Sequence, residues 1–234
     1  MSEFLDQKEL DEWLAQRRLS IQADAIVQRA ASAGVPKEDL ALKDIEFREL
    51  LDDKIYGGEE LENKITFFVY KNANKLIKTP FIFIEGGCEK NRNRAAHAIL
   101  FRMIACDMFG STYLGSTLGG IFGDMKQNRN EFVNKLKNDD SGVLLIKEFS
   151  NIYFKYYSEA GTFFDDFLRY RRDKKMPTII TFSNPIDTIY GNIKDETICG
   201  NYLPTLLGDA VENSKNLENN PSGGIFQVRV KKEK

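Results

Sequence analysis

The chain has 234 residues, of which 42% are hydrophobic, which is enough for a globular protein with its own core. Its 33 basic and 35 acidic residues nearly balance, which argues against a protein coated along its surface by nucleic acid. His97 is the only histidine, so a histidine-rich zinc site is excluded.

The cysteines and the first residues indicate the compartment. Cys88, Cys106 and Cys199 lie far apart and have no metal-binding spacing, which favours free thiols in a reducing compartment. The sequence has no apolar run long enough to span a membrane, and its acidic start, Met1–Asp6, is unlike a signal peptide. We therefore expect a cytoplasmic protein with no membrane partner.

The N-terminal part is predicted to be helical. Apolar residues recur at helical spacing from Phe4 to about Ala31, and Gly34 is a typical helix end. Two interpretations remain open for this helix. It packs on its own domain, or it is an arm that binds a partner through Trp13 and Leu14, because tryptophan gives an isolated helix a large apolar anchor.

A boundary is predicted at Gly57-Gly58. The charged residues 37–58 predict short helices joined by loops, and a longer amphipathic helix is predicted at Glu59–Lys78. We therefore expect a helical appendage at residues 1–58, with a role in binding a partner, and a core domain at residues 59–234.

From Pro80 onward the pattern alternates between strands and helices, which predicts an α/β fold with a parallel sheet. The glycine-rich stretch Thr112–Gly123 is left open, with a short strand and a loop as its best description. The predicted strands are Phe81–Glu85, Gly142–Phe149, Pro177–Ser183 and Ile225–Val230, and the predicted helices are Arg94–Met108, Glu131–Lys137 and Phe163–Arg172.

The first predicted strand is followed by a glycine turn and a helix, which is the layout of a phosphate-binding loop. The pattern of that loop is G-x-x-x-x-G-K-[ST]. Counted from Gly86, the chain has asparagine, arginine and asparagine where glycine, lysine and Ser/Thr belong. The candidate residues for binding a cofactor are Gly86, Gly87, Lys90, Asn91, Arg92 and Asn93.

Polar residues follow the next two strands. In nucleotide hydrolases of this sheet type, the acids after a second strand hold magnesium and polarise the attacking water. Glu148 stands where such a catalytic carboxylate would be, whereas Lys147 would repel magnesium. Asn184 follows the third strand and is a candidate sensor of a terminal phosphate. Both sites also fit a solvated strand end and an ordinary Ser-Asn-Pro turn.

A basic cluster precedes the third strand. Its cations are interleaved with Tyr170, which fits contact with a nucleic-acid backbone or with a neighbouring subunit. The alternative is the solvated end of a helix, where the helix dipole favours cations. The cations are Arg169, Arg171, Arg172, Lys174 and Lys175.

The order and spacing of these features resemble the AAA+ core of the bacterial replicative-helicase loaders (DnaC/DnaI type) and the IstB-like transposition ATPases. The resemblance covers about residues 78–190, and its most specific block ends in Pro177-Thr-Ile-Ile-Thr-Phe-Ser-Asn184, with Arg171 where the family has an arginine. It implies a P-loop NTPase-like (AAA+) parallel sheet flanked by helices, with a helical N-terminal appendage that grips the helicase in loaders.

The chain also departs from the family pattern. Arg92, Asn93 and Lys147 stand where the family has the phosphate lysine, the magnesium hydroxyl and the first acid. Tyr202–Asp209 contains no arginine to complete a neighbour's site. Fast hydrolysis is therefore not expected. Arg92 and Lys147 are expected either to offset the charge of ATP or ADP without magnesium, or to fill an empty pocket by pairing with Glu148 or Glu85.

Three functions follow from the resemblance. The first is a loader-like replication adaptor, phage- or mobile-element-like in its degeneracy, that binds a replicative helicase through residues 1–56 and single-stranded DNA or a sister subunit through the basic cluster. The second is an active but atypical AAA+ ATPase of replication or transposition that uses Glu148. The third is an interaction protein that caps another AAA+ subunit.

Overall fold

The structure of the chain is a computed structural model. The structure describes residues 8–12, 23–45, 47–50, 58–76, 80–123, 131, 134, 142–150, 158–193, 203, 205–209 and 226–230.

The centre of the fold is a sheet of five parallel strands in the order β2-β3-β4-β1-β5. The register places Phe81 of β1 opposite Thr178 of β4, and Leu144 of β3 opposite the same residue. The strands are β1 (Phe81–Gly86), β2 (Phe109–Leu114), β3 (Gly142–Phe149), β4 (Thr178–Phe182) and β5 (Phe226–Val230).

Helices cover both faces of the sheet. A 3-10 helix at Lys37–Asp44 joins the first two of them. The α-helices are α1 (Ala23–Ser32), α2 (Phe47–Leu50), α3 (Gly58–Ala73), α4 (Glu89–Ile104), α5 (Gly115–Gly123), α6 (Ser158–Asp173) and α7 (Ile186–Ile193).

Each face of the sheet carries its own apolar core. Along β1, Ile82 and Ile84 join the cluster around α4, whereas Phe81 and Phe83 join the opposite cluster with α6 and α7. This alternation follows from the period of two residues in a strand. Because helices cover both faces, the central strands are unbroken apolar runs, which is why their positions were predictable.

The N-terminal part that the structure describes packs against α4. Ala30, Phe47 and Leu50 are buried in the same core as the helix. Arg102 of α4 donates to the carbonyl oxygen of Ile45 at 3.3 Å, and its guanidinium lies over the Phe47 ring. The predicted boundary at Gly57-Gly58 therefore does not coincide with a break in the core. Trp13 and Leu14 lie outside the described residues.

Two details differ from the sequence-based expectations. The glycine-rich stretch left open between strand and loop contains the last residues of β2 and then helix α5, which forms although glycine weakens helices. Helix α4 begins at Glu89 rather than at Arg94. Of the helix predicted at Glu131–Lys137, the structure describes two residues, both helical.

No helix in the described ranges combines the length and the apolar character needed to cross a bilayer. Cys88 and Cys106 are free thiols, and Cys199 lies outside the described residues.

Candidate functional site

The carboxyl ends of β1, β3 and β4 meet at one edge of the sheet, which we call the carboxyl edge. The chain leaves β1 for α4 on one face and leaves the neighbouring β4 for α7 on the other face. Where two adjacent strands lead to opposite faces, a crevice opens between their ends, and this is the usual binding site of open α/β sheets. The candidate residues after β1, β3 and β4 lie around this crevice.

Arg92 and Glu148 form a buried ion pair in the crevice. The Arg92 guanidinium donates from Nε to Glu148 Oε1 at 3.1 Å and from Nη2 to Oε2 at 2.5 Å. The two side chains are 8% and 14% exposed. This two-pronged geometry is the strongest form of a carboxylate–guanidinium contact. Of the two pairings expected for Arg92, the structure contains the one with Glu148.

The glycine turn presents carbonyl oxygens to the same guanidinium. Arg92 Nη1 donates to the carbonyl oxygens of Gly86 at 3.2 Å and Gly87 at 2.9 Å. Both glycines have positive φ angles, +80° and +55°, which a side chain would disfavour. Helix α4 starts two residues after Gly87, so the turn is shorter than the loop that the phosphate-binding pattern requires.

Thr181 on β4 holds Glu148 in place, a role that no sequence pattern indicated. Its hydroxyl accepts from the Glu148 backbone N–H at 2.8 Å and donates to Glu148 Oε1 at 3.1 Å. Glu148 has a φ of +54°, and the register of β3 against β4 shifts between Ile146 and Phe149. This irregularity turns the Glu148 side chain towards Arg92, as β-bulges often do beside functional sites.

Gly115 makes room for the irregular end of β3. A Cβ atom at this position would lie 3.0 Å from both the Glu148 carbonyl oxygen and the Phe149 Cα. Both are backbone atoms, so neither yields as a flexible side chain would.

The second acid of the crevice, Glu85, is bonded elsewhere. It is 3% exposed, and its Oε2 accepts from the backbone N–H of Ile186 at 2.8 Å. Ile186 is the first residue of α7, so the carboxylate caps a helix N-terminus and benefits from the helix dipole.

The other predicted cofactor residues lie on the first two turns of α4. Lys90 is exposed, and Asn91 is half-buried. Asn93 has a buried Oδ1 with no hydrogen-bond partner among the described residues. Asn184 is exposed after β4, where it was predicted. The structure therefore brings Arg92 into contact with both Glu148 and the glycine turn, and it leaves Lys90 and Asn184 at the surface.

His97 lies one turn further along α4. Its Nδ1 is 2.7 Å from Asp39 Oδ2, while its buried Nε2 has no partner among the described residues. Burial lowers the pKa of His97 below 6.5, and this effect outweighs the hydrogen bond and the charge of Asp39, which raise it. Lys147 also lowers this pKa, and Glu38 raises it. Arg94 lies 3.9 Å from the same Asp39 carboxylate.

The crevice does not fit a magnesium nucleotide. A bound phosphate needs N–H donors and positive charge, whereas Glu148 and the carbonyl oxygens of Gly86 and Gly87 are acceptors that Arg92 already satisfies. Within the described ranges, no group of three or more His, Cys, Asp or Glu side chains is arranged to hold a metal ion.

The basic cluster lies at the opposite end of the strands, which we call the amino edge, because α6 ends just before β4 begins. Arg169 pairs with Asp165 at 3.1 Å, and Arg172 bonds Asp173 at 2.9 Å. Lys174 is exposed, and Lys175 donates to the carbonyl oxygen of Lys75 at 2.8 Å.

Arg171 was predicted to make a surface contact, but the structure buries it. It is 2% exposed, and it donates to Thr178 Oγ1 at 2.8 Å and to the carbonyl oxygens of Gly142 at 2.9 Å and Pro177 at 2.7 Å. A guanidinium enclosed in this way cannot reach a nucleic acid or a sister subunit. The burial arises because α6 packs its last turn onto the starts of β3 and β4.

No protein-family model matches the sequence, and no curated protein matches it. Among solved structures, the chain is similar to one described as the crystal structure of the DnaI, with a TM-score of 0.52 and 13% sequence identity. The match covers 84% of this chain and 95% of that chain. At this identity the likeness shows the fold alone: the chain has an α/β, P-loop NTPase-like fold.

Proposed function

We propose that the chain is a DNA-replication adaptor of the helicase-loader type, whose NTPase-like core works as a binding scaffold. The observation that carries this proposal is the fold likeness to DnaI over 84% of this chain, with the Arg92–Glu148 pair in the crevice. The partner that fits the proposal is a replicative helicase.

The scaffold role rests on the chemistry of the crevice. A catalytic carboxylate must be free to orient water, but both oxygens of Glu148 accept bonds from Arg92, and one also accepts from Thr181. Lys147 brings a positive charge where a metal-binding acid would be needed. Phosphoryl transfer depends on charges arranged around the terminal phosphate, so hydrolysis by this arrangement is weak or absent.

The helicase contact is assigned to residues before α1. Because the described residues between Ala23 and Leu50 pack against the core, they have less free surface for a partner than an isolated arm would have. Trp13 and Leu14 are the apolar anchors that we assign to this contact.

The test is binding of the purified chain to the purified replicative helicase of its host, followed by gel filtration. We expect a complex with the unaltered chain and at least a tenfold loss of affinity with Trp13→Ala/Leu14→Ala. Leu76→Ala is the matched control, because Leu76 is apolar, 57% exposed and outside the N-terminal segment assigned to the helicase. Absence of a complex with the unaltered chain would refute the proposal.

Hydrolysis is measured on the same preparation by phosphate release. The scaffold role predicts release at the rate of the buffer control. Magnesium-dependent turnover that Glu148→Gln abolishes would instead establish the atypical ATPase.

Contact with single-stranded DNA is assigned to the cations of the amino edge that are not buried, Arg169, Arg172, Lys174 and Lys175. We expect Lys174→Glu/Lys175→Glu to weaken DNA binding and to flatten its salt dependence, by about 0.7 in the logarithmic slope for each lost phosphate contact. Lys90→Glu reverses one exposed charge at the carboxyl edge and should leave the slope unchanged. Equal slopes in both variants would remove the basic cluster from the DNA contact.

A further inference from the structure

The crevice is lined by hydrogen-bond acceptors. The carbonyl oxygens of Gly86 and Gly87 lie 3.2 and 2.9 Å from Arg92 Nη1, and Glu148 supplies two carboxylate oxygens. A phosphate is itself an acceptor with negative charge, so these groups repel it. The guanidinium is the ligand that matches them, because it is planar, positively charged and donates only.

The acceptors are held in these positions by the surrounding structure. Glu148 keeps a left-handed backbone, which a residue other than glycine adopts only where its neighbours determine it. The Thr181 hydroxyl bonds both the backbone N–H and the carboxylate of Glu148. The close approach at Gly115 leaves the end of β3 little space to move.

We propose that Arg92 is a permanent internal occupant of the crevice that excludes nucleotide phosphates, so that the adaptor binds its partner independently of nucleotide. Nucleotide-independent binding of the partner rests on the function proposed above, whereas the exclusion of phosphates concerns this chain alone. The proposal decides between the two expectations for Arg92, since a guanidinium that pairs with Glu148 is not offsetting a phosphate.

The contacts show why a phosphate does not displace the arginine. Arg92 would lose four hydrogen bonds, two of them to a carboxylate. Glu148 would then remain in the crevice without its counter-charge, next to the negative charge of the incoming phosphate. Leaving a buried charge unpaired is among the most costly changes in a protein.

The direct experiment is the thermal unfolding midpoint of the full chain in the presence of ATP, ADP or inorganic pyrophosphate, each with and without magnesium. A ligand that binds the folded chain but not the unfolded chain raises the unfolding midpoint as the ligand concentration rises. We expect no rise up to millimolar concentrations. A rise that depends on the concentration of ATP or ADP would overturn the proposal.

A variant tests whether the ion pair is responsible. Glu148→Gln removes the repelling charge and releases the guanidinium from its charged partner, so pyrophosphate should bind at least tenfold more tightly than to the unaltered chain. Glu89→Gln is the matched control, because Glu89 is an exposed acid on the first turn of α4. An equal effect of the two variants would overturn the assignment to the pair. If Glu148→Gln does not fold, the titration of the unaltered chain still decides whether the crevice excludes nucleotide phosphates.

The partner arm repeats helicase binding with ATP, with ADP and after enzymatic removal of nucleotide. Nucleotide bound to this chain is measured separately by the unfolding titrations above, so that an effect of nucleotide on the helicase is not assigned to this chain. Affinities within twofold of each other support nucleotide independence, and larger differences that track nucleotide bound to this chain overturn it. Absence of helicase binding in all conditions counts against the proposed function, and the titrations then decide the exclusion alone.

Discussion

Two buried arginines stand at opposite edges of the sheet, and their partners differ. Arg92 at the carboxyl edge bonds the carboxylate of Glu148 and two carbonyl oxygens. Arg171 at the amino edge bonds a threonine hydroxyl and the carbonyl oxygens of Gly142 and Pro177. Both tie separate segments together, but the first also cancels a charge in a crevice where related folds bind ligands.

The comparison shows that similar arginines in a sequence can have different physical roles. Arg171 satisfies backbone acceptors at the start of two strands, which is a contribution to folding. Arg92 neutralises an acid held on an irregular strand end, which is a contribution to the state of the site. Substitutions at the two edges therefore separate stability from ligand exclusion.

The largest effect is expected from Arg92→Met. The substitution leaves the Glu148 carboxylate, 14% exposed, facing the carbonyl oxygens of the glycine turn. We expect the free energy of unfolding to fall by about 3–5 kcal/mol, as when one partner of a buried ion pair is removed. Urea unfolding measures this change. Lys90→Met, an exposed cation on the same helix, should stay within about 0.5 kcal/mol of the unaltered chain.

A smaller loss is expected from Arg171→Met. The substitution leaves two carbonyl oxygens and the Thr178 hydroxyl short of a donor, which we expect to cost about 2–3 kcal/mol in urea unfolding. The DNA affinity of the folded fraction should not change, because the side chain is 2% exposed. A variant of full stability with weakened DNA binding would return Arg171 to the surface contact.

Gly115→Ala tests the support of the carboxyl edge without touching a charge. The new Cβ would meet two backbone atoms at 3.0 Å, so we expect a loss of about 1–3 kcal/mol. Gly120→Ala in the same helix meets nothing within 4 Å and should gain about 0.5–1 kcal/mol, since alanine favours helix. Similar results for both glycines would mean that the end of β3 has room to move.

The smallest effect is the pH dependence due to His97. Burial lowers the pKa of His97 in the folded chain. Below about pH 6.5 the imidazole therefore takes up a proton in the unfolded chain but stays neutral in the folded chain. Stability should therefore be complete above that pH and fall as the pH drops towards the folded pKa, by at most about 1.4 kcal/mol per pH unit. Urea unfolding at pH 7.5, 6.5 and 5.5 should show a shallower decline for His97→Gln. An equal decline would mean that other groups cause it.

Much of the sheet was predictable, because its signals are local. The apolar run Val143–Ile146 and the strand at Thr178–Phe182 fall where the sequence placed them. The sequence also predicted Glu148 at a strand end, and its pairing with Arg92 was one of the alternatives that the sequence left open. The role of Thr181 was not predictable, because its partner lies 33 residues away and an interior threonine in a strand is ordinary.

Two misses have clear physical causes. Helix α5 contains four glycines, which weaken a helix in isolation, but packing against α6 and β3 outweighs that preference. Arg171 follows the pattern of a solvated helix end, and only the contact between α6 and the strand starts makes it an interior residue.

The sequence by itself determined the alternation of strands and helices, the parallel sheet and the kinds of residue that follow each strand, because hydrophobic period and turn residues act over a few positions. Only the tertiary structure decided which charges meet. Arg92 and Glu148 are 56 residues apart, and their contact depends on strand order, on the irregular end of β3 and on the direction of the glycine-turn carbonyls.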